Sequence, residues 1–167
     1  SPLGSGIDPA APIFAGASSL AVFDDGTGSA LYMGGNFYNV GGVVSHSLAK
    51  WNGTSWSAVS TQMPIGGYVT DMLVWDDGSG PALFVAGTFP TIGGITANNI
   101  AKWDGANWSS LAGGVLGSAF VYVHAEDLEV FDDGTGPALF LAGSFTSAGA
   151  SPASYIAKWN GAAWSAL

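Results

Sequence analysis

The side chains that could do chemistry in this chain are three lysines, two histidines and a set of aspartates in turn sequences. Lys50, Lys102 and Lys158 are the whole Lys and Arg content, and each stands directly before a tryptophan. A catalytic lysine needs one special environment, whereas a lysine that recurs in register belongs to a repeated unit. We therefore interpret the lysines as structural, with a packed stem or an ion pair to the regularly placed carboxylates.

An acid and base pair is the second chemistry to consider. His124 lies two residues before Glu126, with Asp127 next, but single histidines beside acidic residues are common in loops. The chain has no Cys and no Arg, and it contains no GxSxG, HExxH, P-loop or Rossmann pattern. The sequence therefore predicts a protein that is not an enzyme and needs no cofactor.

The third chemistry is cation binding by the sequence Asp-Asp-Gly, which occurs at 24–26, 76–78 and 132–134. A calcium loop supplies several oxygen ligands from alternate positions, and adjacent aspartates do not give that spacing. Asp and Gly are also the residues that a tight turn requires. We therefore expect turns here and no metal site.

Composition limits the class of protein and its partners. A hydrophobic content of 48% predicts a folded core, and 26 Gly with 8 Pro favour many short strands over long helices. The formal net charge of −9 disfavours nucleic acid, since phosphate binding needs clustered cations. No run of about 18 apolar residues exists, so we expect no membrane span.

The chain contains three copies of one unit. Asp-Asp-Gly follows an aromatic residue each time, and the interval from its first Asp to the lysine is constant, from 24 to 50, 76 to 102 and 132 to 158. Constant units with connectors of different length indicate a tandem array. We predict a single repeat domain over 1–167, with units at 20–59, 72–111 and 128–167. Residues 1–19 are interpreted as a connector that begins inside a preceding repeat.

Each unit contains signals for four strands. A short apolar run ends at Asp-Asp-Gly, a second run (ALYMGG, ALFVAG or ALFLAG) is apolar at nearly every position, and a third strand ends in Ala-Lys-Trp. Asn-Gly or Asp-Gly then leads into a fourth strand, as in a two-residue hairpin turn. With Asn52-Gly53 as that turn, Trp51 pairs with Thr54, Trp56 lies diagonally across from Trp51, and Lys50 points to the opposite face.

The glycines that end the second strand, a neighbouring aromatic residue and the later tryptophan resemble the Kelch motif. The chain departs from that motif in two ways. It has Trp51, Trp103 and Trp159 where the Kelch motif usually has Tyr, and the double glycine is Ala-Gly in two of the three units. The resemblance implies a β-propeller of four-stranded antiparallel blades that serves as a binding platform. The structural repeat positions are Trp51, Trp56, Trp103, Trp108, Trp159, Trp164, Lys50, Lys102, Lys158, Gly35, Gly87 and Gly143.

Three blades do not close a ring, because propellers have about four to eight. The favoured interpretation is a homodimer in which each all-β chain supplies half of a six-bladed ring. A segment of a longer repeat protein, a ring of three chains and an open stack remain alternatives.

Recognition is expected where the units differ, because partner specificity needs side chains that differ between blades. The connectors at one end of the sheets vary, and they carry aromatic, amide and imidazole groups suited to a protein or carbohydrate ligand. The predicted function is a non-catalytic binding or assembly platform, extracellular or at the cell surface; the alternatives are a structural protein of a fibre or surface layer and a propeller fragment with no ligand. The candidate binding residues are Tyr38, His46, Tyr68, Pro90, Asn98, Asn99, Tyr122, His124 and Tyr155.

Overall fold

The computed structural model describes residues 6–7, 15–59, 63–64, 66–118 and 122–167, and within them every regular element is a β-strand. The predicted alignment of residues 1–3 with an earlier repeat lies outside the described residues. The strands up to the first connector are β1 (Gly16–Asp24), β2 (Ser29–Asn36), β3 (Asn39–Val40), β4 (Val43–Val44), β5 (Leu48–Trp51) and β6 (Trp56–Ala58). Those of the next unit are β7 (Tyr68–Asp76), β8 (Pro81–Thr88), β9 (Thr91–Ile92), β10 (Ile95–Thr96), β11 (Ile100–Trp103) and β12 (Trp108–Ser110). The remaining strands are β13 (Val115–Leu116), β14 (His124–Asp132), β15 (Pro137–Ser144), β16 (Ser147–Ala148), β17 (Ser151–Pro152), β18 (Ile156–Trp159) and β19 (Trp164–Ser165).

The long strands form three four-stranded antiparallel sheets with orders β1-β2-β5-β6, β7-β8-β11-β12 and β14-β15-β18-β19. This confirms the all-β prediction and the four-stranded sheet of each unit. The first strand of each sheet begins four residues before the predicted unit, at Gly16, Tyr68 and His124. Residues 16–19 therefore belong to β1 and lie ahead of the unit predicted at 20–59.

A short hairpin between the second and third long strands was not predicted. It is formed by β3 with β4, β9 with β10, and β16 with β17, and β13 pairs with β16. Each hairpin packs a glycine against an indole of its own sheet. A Cβ at Gly41 would lie 2.5 Å from Cδ1 of Trp56, and Gly41 has a φ of +57°.

The two-residue turn predicted at Asn52-Gly53 is wrong. Trp51 pairs directly with Trp56, so the connecting loop has four residues, 52–55. The Asn52 side chain closes this loop, because its Oδ1 accepts the backbone N–H groups of Thr54 at 3.0 Å and Ser55 at 2.9 Å. The prediction that Trp51 and Trp56 lie on the same face is still correct, because residues directly opposite one another on paired strands share a face. The two indole centroids lie 5.4 Å apart.

Each first strand contains a bulge where the second strand approaches it most closely. The register shifts between Ala17 and Ser19 in β1, and β7 and β14 shift at the corresponding places. A Cβ on the second-strand glycine, Gly35, Gly87 or Gly143, would overlap the carbonyl oxygen of residue 16, 68 or 124 respectively. Glycine is therefore required here by the backbone of the neighbouring strand.

The three sheets pack one after another. We call the side of a sheet that carries its two tryptophans the tryptophan face and the opposite side the lysine face. One core cluster joins the lysine face of the first sheet (Phe23, Tyr32, Leu48) to the tryptophan face of the second (Leu83, Val85, Ala101). A second cluster joins the lysine face of the second sheet to the tryptophan face of the third. The first strands lie side by side, since β7 contacts both β1 and β14.

Candidate functional site

The sheets have two different ends. The variable-loop end comprises the segments 37–47, 89–99 and 145–155 together with the described parts of the connectors, 59, 63–64, 66–67, 111–118 and 122–123. The acidic end comprises the turns 25–28, 77–80 and 133–136 with the loops 52–55, 104–107 and 160–163. All nine candidate binding residues lie at or beside the variable-loop end.

Tyr38 and His46 form one of the groups at this end. Their ring centroids are 5.9 Å apart in an edge-on arrangement, and both side chains are half-buried. Nδ1 of His46 lies 3.4 Å from the carbonyl oxygen of Met63, in the connector that follows the first sheet. The imidazole is thus positioned by an aromatic ring and a backbone carbonyl.

Asn98 and Asn99 form a second group, and their amides hold the loop together. The Asn99 side chain is buried; its Oδ1 accepts the N–H of Phe89 at 3.1 Å and its Nδ2 donates to the carbonyl of Val115 at 3.1 Å. Nδ2 of Asn98 donates to the carbonyl of Gly113 at 2.8 Å. Both residues have positive φ, 44° and 75°, which Asn tolerates better than most residues. Both polar side-chain atoms of Asn99 and the side-chain nitrogen of Asn98 therefore have partners within the chain.

Tyr122 and His124 form a third group beside β14. Their ring centroids lie 5.8 Å apart, and Nε2 of His124 is 3.2 Å from Oε1 of Glu126. The Tyr122 side chain is 68% exposed, and the Glu126 side chain is 64% exposed. Tyr155, on the third sheet, is exposed with a φ of 68°, and Pro90 is exposed on the second.

Tyr68 lies at a cavity between the first and second sheets. The cavity has a volume of about 290 Å³, and its side-chain lining includes Tyr68, Asn36, Ser18 and Thr70. The Ser18 hydroxyl donates to the carbonyl of Val69 at 2.6 Å and lies 3.3 Å from the carbonyl oxygen of Gly34. A half-buried tyrosine beside hydroxyl and amide groups combines an aromatic surface with polar groups, as small-molecule sites do.

The bulges that supply part of this lining were missed by sequence reasoning. Ser18, Thr70 and Glu126 are the extra residues of the three bulges. Aligning the units would have shown the signal, because two polar residues precede the apolar run in each copy: Ser-Ser, Thr-Asp and Glu-Asp. A bulge turns such a residue away from the ladder, and polar residues tolerate that exposure.

At the acidic end, the lysines and aspartates form the same network in every unit. Lys50 Nζ lies 2.6 Å from Oδ2 of Asp25 and 2.7 Å from Oγ1 of Thr27. The ion pair between Lys102 and Asp77 is 2.8 Å long, and the one in the third sheet, from Lys158 to Asp133, is 2.7 Å. These distances agree with the interpretation of the lysines as structural ion-pairing groups.

The first aspartate of each turn acts on the backbone. Oδ1 of Asp24 accepts the N–H groups of Gly26 at 2.9 Å and Gly28 at 3.0 Å, and Asp76 and Asp132 repeat both bonds. One oxygen of each first aspartate, Oδ1, therefore closes the turn. Within the described ranges, no group of three or more His, Cys, Asp or Glu residues could hold a metal ion.

These hydrogen bonds set the charge state of the second aspartate. Burial raises the pKa of Asp25 and Asp77, but the hydrogen bonds from Lys50 and Lys102, with those from the turn, outweigh burial and lower the pKa. The hydrogen bond from Lys158 lowers the pKa of Asp133 to about 2. The second aspartates are therefore ionised at neutral pH and held as ion-pair partners.

Two further findings bear on identity. Among the described residues no helix is long and apolar enough to cross a membrane. Comparison with family models, curated proteins and solved structures found no match for the chain.

Proposed function

We propose that the chain is a non-catalytic, Kelch-like β-propeller module, extracellular or at the cell surface, that binds a carbohydrate at its variable-loop end. The packing of each sheet's tryptophan face on the lysine face of the sheet before it supports a propeller, because a repeated meander that stacks in this way is how blades are built. Neighbouring first strands support the same arrangement.

The observation that carries the binding role is the cavity beside Tyr68. Its volume of about 290 Å³ is close to the lower limit, about 300 Å³, of small-molecule sites. The Tyr68 ring is the aromatic group for a sugar to stack on and the Asn36 amide is the main hydrogen-bonding group, because the Ser18 and Thr70 hydroxyls already donate to the carbonyls of Val69 and Ala125 at 2.6 Å. A sugar presents one apolar face and many hydroxyls, so these groups complement it.

A non-catalytic role is supported by the state of the titratable groups. The second aspartates of the acidic turns are held in ion pairs with the lysines, at 2.6 to 2.8 Å. His124 pairs with an exposed carboxylate at 3.2 Å, where solvent reaches both groups.

The test is a titration of the chain with a panel of soluble oligosaccharides, followed by isothermal calorimetry. We expect at least one sugar to bind, and Tyr68→Ala and Asn36→Ala to weaken that binding about tenfold or more, as expected for a lost stacking or bidentate contact. Ser109→Ala changes an exposed hydroxyl at the acidic end and is the matched control that keeps full affinity. Binding that is unchanged by Tyr68→Ala, or a panel with no binder, would reject this site; binding of peptides alone would reject the carbohydrate assignment.

A further inference from the structure

Among the described residues no sheet packs on the tryptophan face of the first sheet, although Met33, Ala49 and Trp56 of that face are buried in a small cluster of their own. Leu20 and Val22 on this face are 60% and 64% exposed. At the position of Leu20, the second and third sheets have Met72 and Leu128, and each is only 4% exposed because the preceding sheet covers it. Large apolar side chains in register on one face form the kind of exposed patch that marks an interaction surface.

The lysine face of the third sheet is uncovered in the same way. Phe131 is 57% exposed, whereas its counterpart in the first sheet, Phe23, is 4% exposed. Ile156 is 42% exposed, whereas Leu48 and Ile100 are fully buried. Each internal junction pairs a lysine face with a tryptophan face. The chain therefore has one tryptophan face, on the first sheet, and one lysine face, on the third sheet, that are not paired in this way.

Loops and turns at the acidic end also take part in the junctions between neighbouring sheets. A Cβ at Gly105 would lie 2.7 Å from the carbonyl oxygen of Asp25 in the preceding sheet, and one at Gly161 would lie 2.5 Å from that of Asp77. These glycines therefore pack directly on the backbone of the acidic turn. Gly53, their counterpart in the first sheet, has no described atom within 4 Å of the same position.

Hydrogen bonds also join the first strands of neighbouring sheets within the chain. Oγ of Ser19 accepts the N–H of Met72 at 3.1 Å, and Oδ2 of Asp71 accepts the N–H of Leu128 at 2.9 Å. In both cases a side-chain oxygen next to the bulge accepts a hydrogen bond from the backbone of the first strand in the next sheet. Asp127 occupies this position in the third sheet, where its side chain is exposed.

We propose that the tryptophan face of the first sheet docks on the lysine face of the third sheet of a second copy of this chain. The occupant is a second copy because the two uncovered faces are the complementary halves of one interface, and the chain itself supplies both. The contacts are those of the internal junctions, with Gly53 against the acidic turn of Asp133 and the Leu20 N–H bound by Asp127. Two chains then close six sheets, within the range of about four to eight that propellers use.

The junction between copies differs from the internal junctions in two ways: it lacks one hydrogen bond, and the exposed Glu129 stands on the lysine face where Ala21 and Leu73 pack against the internal core clusters. The hydroxyls of Ser18 and Thr70 donate to the carbonyls of Val69 and Ala125, both at 2.6 Å. Glu126 stands at this position in the third sheet, and an ionised carboxylate has no proton to donate. Association therefore depends on the apolar faces and the turn contacts. This inference goes beyond sugar binding, and a mass measurement tests it whether or not a sugar binds.

The experiment is light scattering and sedimentation velocity on the whole chain over a dilution series. We expect a species of twice the chain mass of 16.8 kDa. Leu20→Glu and Phe131→Glu each place a charge on one uncovered face, and each is expected to give a monomer. Val44→Glu is the matched control: Val44 is 56% exposed, and its counterparts Thr96 and Pro152 are also exposed, so the position lies outside the internal junctions.

Mixing the two monomeric variants tests which faces pair. Leu20→Glu keeps the lysine face of its third sheet and Phe131→Glu keeps the tryptophan face of its first sheet, so the mixture is expected to form a heterodimer through one intact junction. Circular dichroism of each variant, unchanged from wild type, establishes that both are folded. A wild-type chain that stays at 16.8 kDa, a dimer that survives either charge, or a mixture that stays monomeric overturns the proposal.

Discussion

At the scale of single residues, the repeated lysine contributes an ion pair that ties the third strand to the acidic turn. The Asp77 side chain is only 4% exposed, so Lys102→Met leaves a shielded carboxylate without its partner. We expect the free energy of unfolding to fall by about 3 kcal/mol, at the lower end of the range for removing one partner of a buried pair. Urea unfolding at pH 7 and fixed protein concentration measures this loss.

The double variant Lys102→Met/Asp77→Asn is the control for that prediction. It removes both charges, so no unpaired carboxylate remains, and it should be more stable than the single lysine variant. If the single and double variants unfold at the same urea concentration, the cost lies in the lost lysine stem and not in the ion pair.

The same residues predict how stability depends on pH. The pKa of Asp25, Asp77 and Asp133 is lower in the folded chain than the ordinary value of about 3.9. Between that value and about 2, where the folded Asp133 titrates, the unfolded chain binds more protons, so stability falls as the pH falls. Above about pH 5 this contribution is fully present.

Chemical unfolding at pH values from about 5 to 2 tests the sign of this effect. The variant Asp25→Asn/Asp77→Asn lacks two of the aspartates whose pKa is lowered by folding and is expected to lose stability less steeply on acidification than wild type. An equal slope in wild type and variant would show that other carboxylates control the acid transition.

At the scale of elements, the close approach of the first two strands requires glycine at one position. In Gly87→Ala the added methyl group would overlap the carbonyl oxygen of Tyr68. This oxygen belongs to the backbone of β7, so it can move away only if the bulge in β7 opens. We expect a loss of about 3 kcal/mol in the free energy of unfolding, at the upper end of overpacking effects. Gly16→Ala is the control, since nothing lies within 4 Å of the added atom, and it should stay within about 1 kcal/mol of wild type. A similar loss in both variants would mean that chain entropy, and not the close approach, sets the cost.

A buried tryptophan of the fourth strand gives the second test at this scale. Trp164 is 5% exposed, lies 5.3 Å from Trp159 between ring centroids, and donates from Nε1 to the carbonyl of Leu111 at 2.7 Å. Trp164→Ala is expected to cost about 4 kcal/mol. Trp164→Phe keeps an aromatic ring, so it should cost less, mainly the unsatisfied carbonyl at about 1 to 2 kcal/mol. Equal losses in thermal or urea unfolding would contradict this division between packing and hydrogen bonding.

The sequence was sufficient for those features that repeat. The four strands, the shared face of Trp51 and Trp56, and the opposite orientation of Lys50 follow from alternation and from the constant interval in each unit. The loop at 52–55 could not be predicted from Asn-Gly alone, because the Asn52 side chain binds two backbone N–H groups and holds four residues open. The strands of the short hairpins have two residues each and each bulge adds one residue, which is below the length at which alternation is visible.

The candidate binding site was predicted less completely, for a physical reason. Asn98 and Asn99 are polar in a loop, which suggests recognition, yet their positive φ angles and amide bonds give them a structural role. The cavity lining depends on which bulge residue meets which neighbouring sheet, as Ser18 meets Val69. Such contacts between units are invisible in a pattern that describes one unit at a time.

At the scale of the whole molecule, charge and apolar surface act in opposite directions on self-association. Each copy carries a formal net charge of −9, so two copies repel one another at long range. The faces that pair are mainly apolar, and Lys158 is already engaged at 2.7 Å by Asp133 and at 2.6 Å by Thr135 of its own sheet. Added salt therefore screens repulsion and removes little attraction.

Raising NaCl from about 10 to about 150 mM shortens the Debye length from about 30 to about 8 Å, so the dissociation constant of the dimer should fall. Sedimentation velocity at matched protein concentrations in the two buffers measures the change. The Leu20→Glu variant, with one apolar face disrupted, is expected to remain monomeric in both buffers. If salt instead weakens the wild-type dimer, ion pairs across the junction provide most of the attraction, and charged groups such as Glu129 beside the exposed Phe131, rather than the apolar faces, become the residues to vary next.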